Sequence, residues 1–137
     1  MKKITVILIY ILIVNNAFAQ WKVLNSGTSA SLTSGFFTSF STGYAVGGGG
    51  IVLKTEDEGI TWTKQYEDTS TVFFSVHFPE EMVGYIVGLG KILKTTNGGI
   101  SWQNQQTNVN KALYGVYFVN SEIGYAVGDL GDNSKNN

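Results

Sequence analysis

Four groups of residues could carry chemistry in this chain: the lone imidazole of His77, the acidic run Glu56-Asp57-Glu58, the glycine run Gly47 to Gly50, and Gly90-Lys91. His77 has no second histidine and no cysteine with which to share a metal. Its position recurs in the chain as Phe36 and Tyr117, so the site asks for a flat ring and a structural role is expected. The acidic run followed by Gly59 invites a calcium ion. It has neither the ligand spacing nor the closing bidentate glutamate of an EF-hand, and its second occurrence reads Thr96-Asn97-Gly98. The glycines invite a phosphate, but a phosphate loop ends in Gly-Lys-Ser/Thr and opens a helix, whereas Ile51-Val52-Leu53 and Ile92-Leu93 follow here. Both stretches read as turns, and no catalytic residue, cofactor or metal is expected.

These candidates recur, and the elements that position them recur with them. Gly43 to Trp62 returns as Gly84 to Trp102, and a third copy starts at Gly124. Tyr44, Tyr85 and Tyr125 stand 41 and 40 residues apart, as do Trp21, Trp62 and Trp102. A fixed period of this size, with glycine turns and short apolar runs inside each copy, predicts a blade-by-blade β array.

Each copy divides into four short strands. The first aligns Leu32, Phe73 and Leu113, then Gly35, Val76 and Val116, then Phe37, Phe78 and Phe118. Alternate residues share a face, and the intervening Phe36, His77 and Tyr117 are also bulky, so a strand buried on both sides is predicted. The second strand is Gly43 to Val46, repeated at Gly84 and Gly124, and the third is Ile51 to Thr55, repeated at Ile92 to Thr95, with Lys54 and Lys94 expected to present their ammonium groups to solvent. A tight turn leads to a fourth strand from Thr61 or Ser101 onward. In that turn Asp57 or Asn97 can accept backbone N–H bonds, Gly59 or Gly99 can supply a positive φ, and Trp62 or Trp102 buries a large ring. Trp21 to Leu24 reads as a fourth strand preceding the first full copy. The expected repeat core is Phe37, Tyr44, Phe78, Tyr85, Phe118 and Tyr125.

The remaining composition bounds the address and the partners. Lys2 and Lys3, an apolar run from Ile4 to Val14 and Ala17-Phe18-Ala19 form the pattern of a secretory signal peptide over residues 1–19. The run is shorter than the roughly 20 residues of a spanning helix, so no membrane span is expected after cleavage, and the mature chain would begin at Gln20. Seven lysines then face ten acidic residues, and arginine is absent. Without arginine the chain lacks the side chain best fitted to phosphate, and nucleic acid is not an expected partner. An exported chain without cysteine has no disulfides, so packing and hydrogen bonds must hold it. A secreted product, periplasmic or extracellular, is expected.

The turn sequence also carries a resemblance. Thr55, Asp57, Gly59, Thr61 and Trp62, and again Thr95, Asn97, Gly99, Ser101 and Trp102, follow a pattern similar to the Asp-box or bacterial neuraminidase repeat, which implies the turn between the third and fourth strands of a propeller blade. The full unit from Gly-Tyr-Ala-Val-Gly to the tryptophan resembles the photosystem II assembly and stability factor family of β-propellers, over nearly all of residues 21–128. The resemblance implies a non-enzymatic binding scaffold; members in plants and cyanobacteria assist assembly of the photosystem II reaction centre, and relatives in other bacteria are secreted. Sialidases share such turns but use an arginine cluster on the substrate carboxylate, which a chain without arginine cannot assemble.

The expectation is therefore an all-β chain of four-stranded antiparallel blades: a partial propeller over residues 20–128, with repeats at 32–65, 73–105 and 113–128, and a disordered polar tail over 129–137. Propellers close with about four to eight blades, so two complete blades and partial ones do not close a ring. A fragment of a longer propeller is the expectation; assembly of several short chains into one ring, by self-association through open blade edges, is the competing one. The expected function is protein or ligand binding through an unidentified protein or glycan partner. The alternative is a fragment of a glycan-active propeller enzyme whose catalytic residues lie outside this chain.

Overall fold

The computed structural model describes residues 21–106, 108 and 110–129. The leader expected over 1–19 lies outside the described residues, as does the tail expected over 129–137 except for Asp129, which donates its N–H to the Ala112 carbonyl at 2.9 Å instead of standing free. Ten strands form three antiparallel sheets. The first blade is β1 (Leu32–Phe37), β2 (Gly43–Gly47), β3 (Val52–Thr55) and β4 (Thr63–Tyr66), hydrogen-bonded in that order. The second is β5 (Phe73–His77), β6 (Gly84–Gly88), β7 (Ile92–Thr95) and β8 (Gln103–Asn104). The third sheet pairs β9 (Leu113–Phe118) with β10 (Gly124–Gly128).

The first two strands of each sheet meet in the same way because glycine recurs. Gly43 pairs with Phe37 and Gly124 with Phe118 across the ladder. A Cβ at Gly43, Gly84 or Gly124 would stand 2.7, 2.5 and 2.5 Å from the ring of Phe37, Phe78 and Phe118 respectively. The ring lies flat on the neighbouring backbone, and only a residue without a side chain leaves it room. Register breaks by one residue between Leu32 and Ser34 and again between Phe73 and Ser75, a bulge that repeats with the blade.

The blades stack through their first strands. Ser34 accepts a hydrogen bond from the Val76 N–H at 3.3 Å, and one period later Ser75 accepts from Val116 N–H at 3.2 Å. Thr33 donates its hydroxyl to the Phe73 carbonyl at 2.6 Å. The principal core lies between blades one and two, where Tyr44, Val46, Val52, Phe73, Val76, Phe78, Ile86 and Leu93 are buried against one another. Fully burying side chains of this size contributes about 1.5–3 kcal/mol each, which is how a cysteine-free chain holds these sheets together.

Three local expectations require correction. No first strand is fully buried on both sides: in the middle blade Phe73 and Val76, which share a face across the bulge, are buried while Phe74, Ser75 and His77 are half-buried, and Leu32 of β1 remains 40% exposed because no described blade packs outside it. Trp21 to Leu24 forms no strand, and Trp21 is fully exposed, since among the described residues no third strand lies beside it to complete a ladder. The fourth strands start at Thr63 and Gln103, two residues later than expected, because the backbone N–H groups of Thr61 and Ser101 are bound by Asp57 and Asn97 side chains instead of a neighbouring strand.

Candidate functional site

In an up-and-down sheet the β1–β2 and β3–β4 connections lie at one end and the β2–β3 hairpins at the other. The turns singled out by their sequence occupy the first end. In blade one Thr55 is the pivot. Its hydroxyl donates to Asp57 Oδ1 at 2.8 Å and accepts the N–H of Gly59 at 2.9 Å. Asp57 then accepts the Thr61 N–H at 2.8 Å and, through Oδ2, the Thr61 hydroxyl at 2.6 Å. These bonds, first those from Thr61, hold the Asp57 carboxyl below its ordinary range.

Blade two repeats the arrangement with neutral partners. Thr95 donates to Asn97 Oδ1 at 2.9 Å and accepts the Gly99 N–H at 2.9 Å, while Asn97 accepts the Ser101 N–H at 3.0 Å and donates from Nδ2 to the Ser101 hydroxyl at 2.9 Å. Gly59 and Gly99 take φ of 83° and 79°. Trp62 donates its indole N–H to the Gly59 carbonyl at 3.0 Å, whereas the buried Trp102 indole N–H finds no partner among the described residues.

The β1–β2 and β5–β6 loops brace these turns. Glu58 donates its N–H to the Ser41 carbonyl at 3.0 Å, and Gly98 donates to the Met82 carbonyl at 2.9 Å. Between blades, Tyr44 stacks on Phe78 at 4.1 Å and donates its hydroxyl to the Gly98 carbonyl at 2.7 Å. Burial first, and then Glu56 and Glu81, push the Tyr44 hydroxyl up to about 12, so it stays a donor. Tyr85 repeats the ring stack on Phe118 at 4.0 Å. Leu24 reaches Gly59 as Tyr44 reaches Gly99, so the segment before β1 covers the first turn in place of a tyrosine.

Of the six rings expected in the repeat core, Tyr44 and Phe78 are buried and Tyr85 and Phe118 are half-buried. Phe37 and Tyr125 are 48% and 62% exposed, because each lacks the ring that a further blade would lay on it. Lys54 and Lys94 do not simply extend into solvent. Each stands opposite a tyrosine across the ladder, with Nζ 5.9 Å from the Tyr44 ring centre and 5.3 Å from that of Tyr85, and Lys54 also pairs with Glu56 at 2.8 Å.

His77 lies in a column of rings on the first strands, 4.9 Å from Phe36 on one side and 4.9 Å from Tyr117 on the other. Its Nδ1 is buried without a partner among the described residues, and burial lowers its pKa.

Charge divides the two ends, a feature that the residue-by-residue reading of motifs missed. The connections β1–β2, β3–β4, β5–β6, β7–β8 and β9–β10 contain Glu56, Asp57, Glu58, Glu80, Glu81 and Glu122 and no lysine. The opposite end is balanced: Lys64 pairs with Glu67 at 2.6 Å, Lys91 with Asp68, and Tyr114 donates to Asp129 at 3.2 Å. The Lys91 ammonium, with help from Ser70, pulls the Asp68 carboxyl down to about 2. Large apolar side chains also stand out at the acidic end: Phe40, Ile60, Met82, Ile100, Val119 and Ile123 are each at least half exposed. The signal was present in sequence as an isoleucine inside each otherwise polar turn.

Successive four-stranded antiparallel blades, stacked first strand against first strand, define a protein of the β-propeller class. The sequence profile of one family, described as photosynthesis system II assembly factor YCF48, matches residues 13–109. The chain belongs to that family. A solved structure described as YCF48 bound to D1 peptide superposes with a TM-score of 0.72 at 23% identity, over 84% of this chain and 40% of that one. YCF48 from Cyanidioschyzon merolae superposes with a TM-score of 0.59 at 27% identity, over 66% of this chain and 31% of that one. The chain thus spans well under half the length of either structure. No curated protein matches.

Proposed function

We propose that this chain is a secreted, non-enzymatic module of propeller blades that binds another protein. The observation that carries the reading is how the turn side chains are spent. Both Asp57 oxygens and both neighbouring hydroxyls are engaged in holding the turn, so the hydroxyl and carboxyl groups that could have formed a catalytic pair form a rigid support for loops instead. Family membership supports the same reading, and the relative described as bound to D1 peptide supports a polypeptide as the class of ligand. Residues 1–19, with their basic start and Ala-x-Ala end, support export.

The test is a peptide array probed with the purified chain, alongside a glycoside panel. Binding to a defined subset of peptides with no turnover is expected. Robust turnover abolished by replacing a single polar residue would overturn the reading. Export is checked by fractionating cells that express the full sequence; retention of an uncleaved chain in the cytoplasm would overturn that part.

A further inference from the structure

We infer that the end of the blades bearing the β3–β4 turns is a docking face for a basic, apolar segment of polypeptide. The inference rests on the protein-binding reading above and names the chemistry of the partner. It stands on two different kinds of residue brought to one end by the topology. Ile60 and Ile100 occupy the same position in successive turns and are 68% and 72% exposed, and Phe40 and Met82 stand on the loops that brace those turns at 85% and 51%. Large apolar side chains exposed on loops at one end of the blades offer a contact surface for a partner.

The acidic residues around them choose the partner. Glu56, Glu58, Glu80, Glu81 and Glu122 stand on connections at this same end, and of these five Glu56 alone is ion-paired among the described residues, with Lys54. At the far end Glu67 and Asp68 are paired with Lys64 and Lys91, so unpaired acidic charge is concentrated on this face. A negative rim around an apolar centre steers and selects a positive segment and repels an acidic one. The face is also braced: Tyr44, Ser41 and Met82 tie the loops and turns to one another within and across blades, so little ordering is needed on binding.

The experiment is fluorescence anisotropy with the full chain and short fluorescein-labelled peptides. The first contains lysine, leucine and serine; one control exchanges lysine for glutamate and a second exchanges leucine for serine. The first peptide should bind, should weaken as salt is raised, and should exceed both controls. Replacing Glu56, Glu80, Glu81 and Glu122 together by Gln should weaken it about tenfold, the sum expected of several exposed charge pairs. I60S with I100S should weaken it as well, and K111Q at the far end should leave it unchanged. All these positions are at least partly exposed, so circular dichroism should confirm an intact fold. Equal binding of the lysine and glutamate peptides, or an unchanged quadruple variant, would overturn the inference. If array peptides still bind that quadruple variant while the lysine peptide does not bind the wild type, this face is wrong and the protein-binding reading stands. If no array peptide binds at all, both fail.

Discussion

The Tyr44 hydroxyl crosses from blade one to blade two and donates to the carbonyl of Gly98 at 2.7 Å. That bond joins the second strand of one blade to the turn of the next, and the Tyr44 ring stacks on Phe78 beneath it. Both partners are buried, so removing the hydroxyl leaves a carbonyl without its donor. Tyr44→Phe should lower stability by about 1–2 kcal/mol, read as a shift in the midpoint of urea unfolding without a change in slope. An unchanged midpoint would show that the blades are held by the ring stack alone.

Thr55 serves two backbone donors and one carboxylate while being 1% exposed. Valine has nearly the same shape and none of these bonds. Thr55→Val should cost about 2 kcal/mol or more, because the buried Gly59 N–H loses its acceptor. Thermal melts of Thr55→Val and Thr55→Ser separate the causes: serine keeps the hydroxyl and should recover most of the loss.

Glu58 has φ of 63°, the one non-glycine residue with positive φ among those described, and the equivalent position in blade two is Gly98 with the same φ. A side chain in this region costs about 1–2 kcal/mol, partly offset by the entropy that glycine adds to the unfolded chain. Glu58→Gly should therefore raise stability by about 0.5–1 kcal/mol, measured by chemical denaturation. A loss would mean that the glutamate side chain makes a compensating contribution.

His77 governs the response to mild acid. Burial holds its folded-state pKa below the ordinary 6.5, so the folded state favours the neutral ring. The stability it contributes is complete above 6.5 and is lost as pH falls through the lower folded value. The carboxyls of Asp57 and Asp68 are also lowered, from an ordinary 3.8, so their contributions persist until pH falls below that value. The two windows are separate. His77→Phe, which copies Phe36 of blade one, should flatten the melting temperature between pH 7 and pH 5 and leave the steeper loss near pH 3. A wild-type melting temperature that is flat between pH 7 and pH 5 would contradict this account.

The blade was legible because its causes are local. A glycine that must lie under a phenylalanine ring, a threonine followed two residues later by Asp57 or Asn97, and a glycine two further on with positive φ each mark a point where the backbone has few alternatives. Their recurrence at 40 and 41 residues makes the sheet order readable. The exposed Phe37 and Tyr125 were not legible, since they carry the same letters as the buried rings of the middle blade and differ only in what stands beside them. The position of Leu24 over Gly59 was not legible either, because no repeat of sequence connects a leucine in an irregular segment to a tyrosine in a strand.

By itself the order of residues determined the strands, their turns and the period at which sheets follow one another, all of which depend on neighbours within a few positions along the chain or on a hairpin's reach. Only the tertiary structure decided which copies of a repeated residue are inside, and that six carboxylates from three separate connections share one end with the exposed apolar tips of five. The reason is that burial and electrostatic fields are summed over whatever lies nearby in space, and in stacked blades much of that neighbourhood comes from residues about forty positions away.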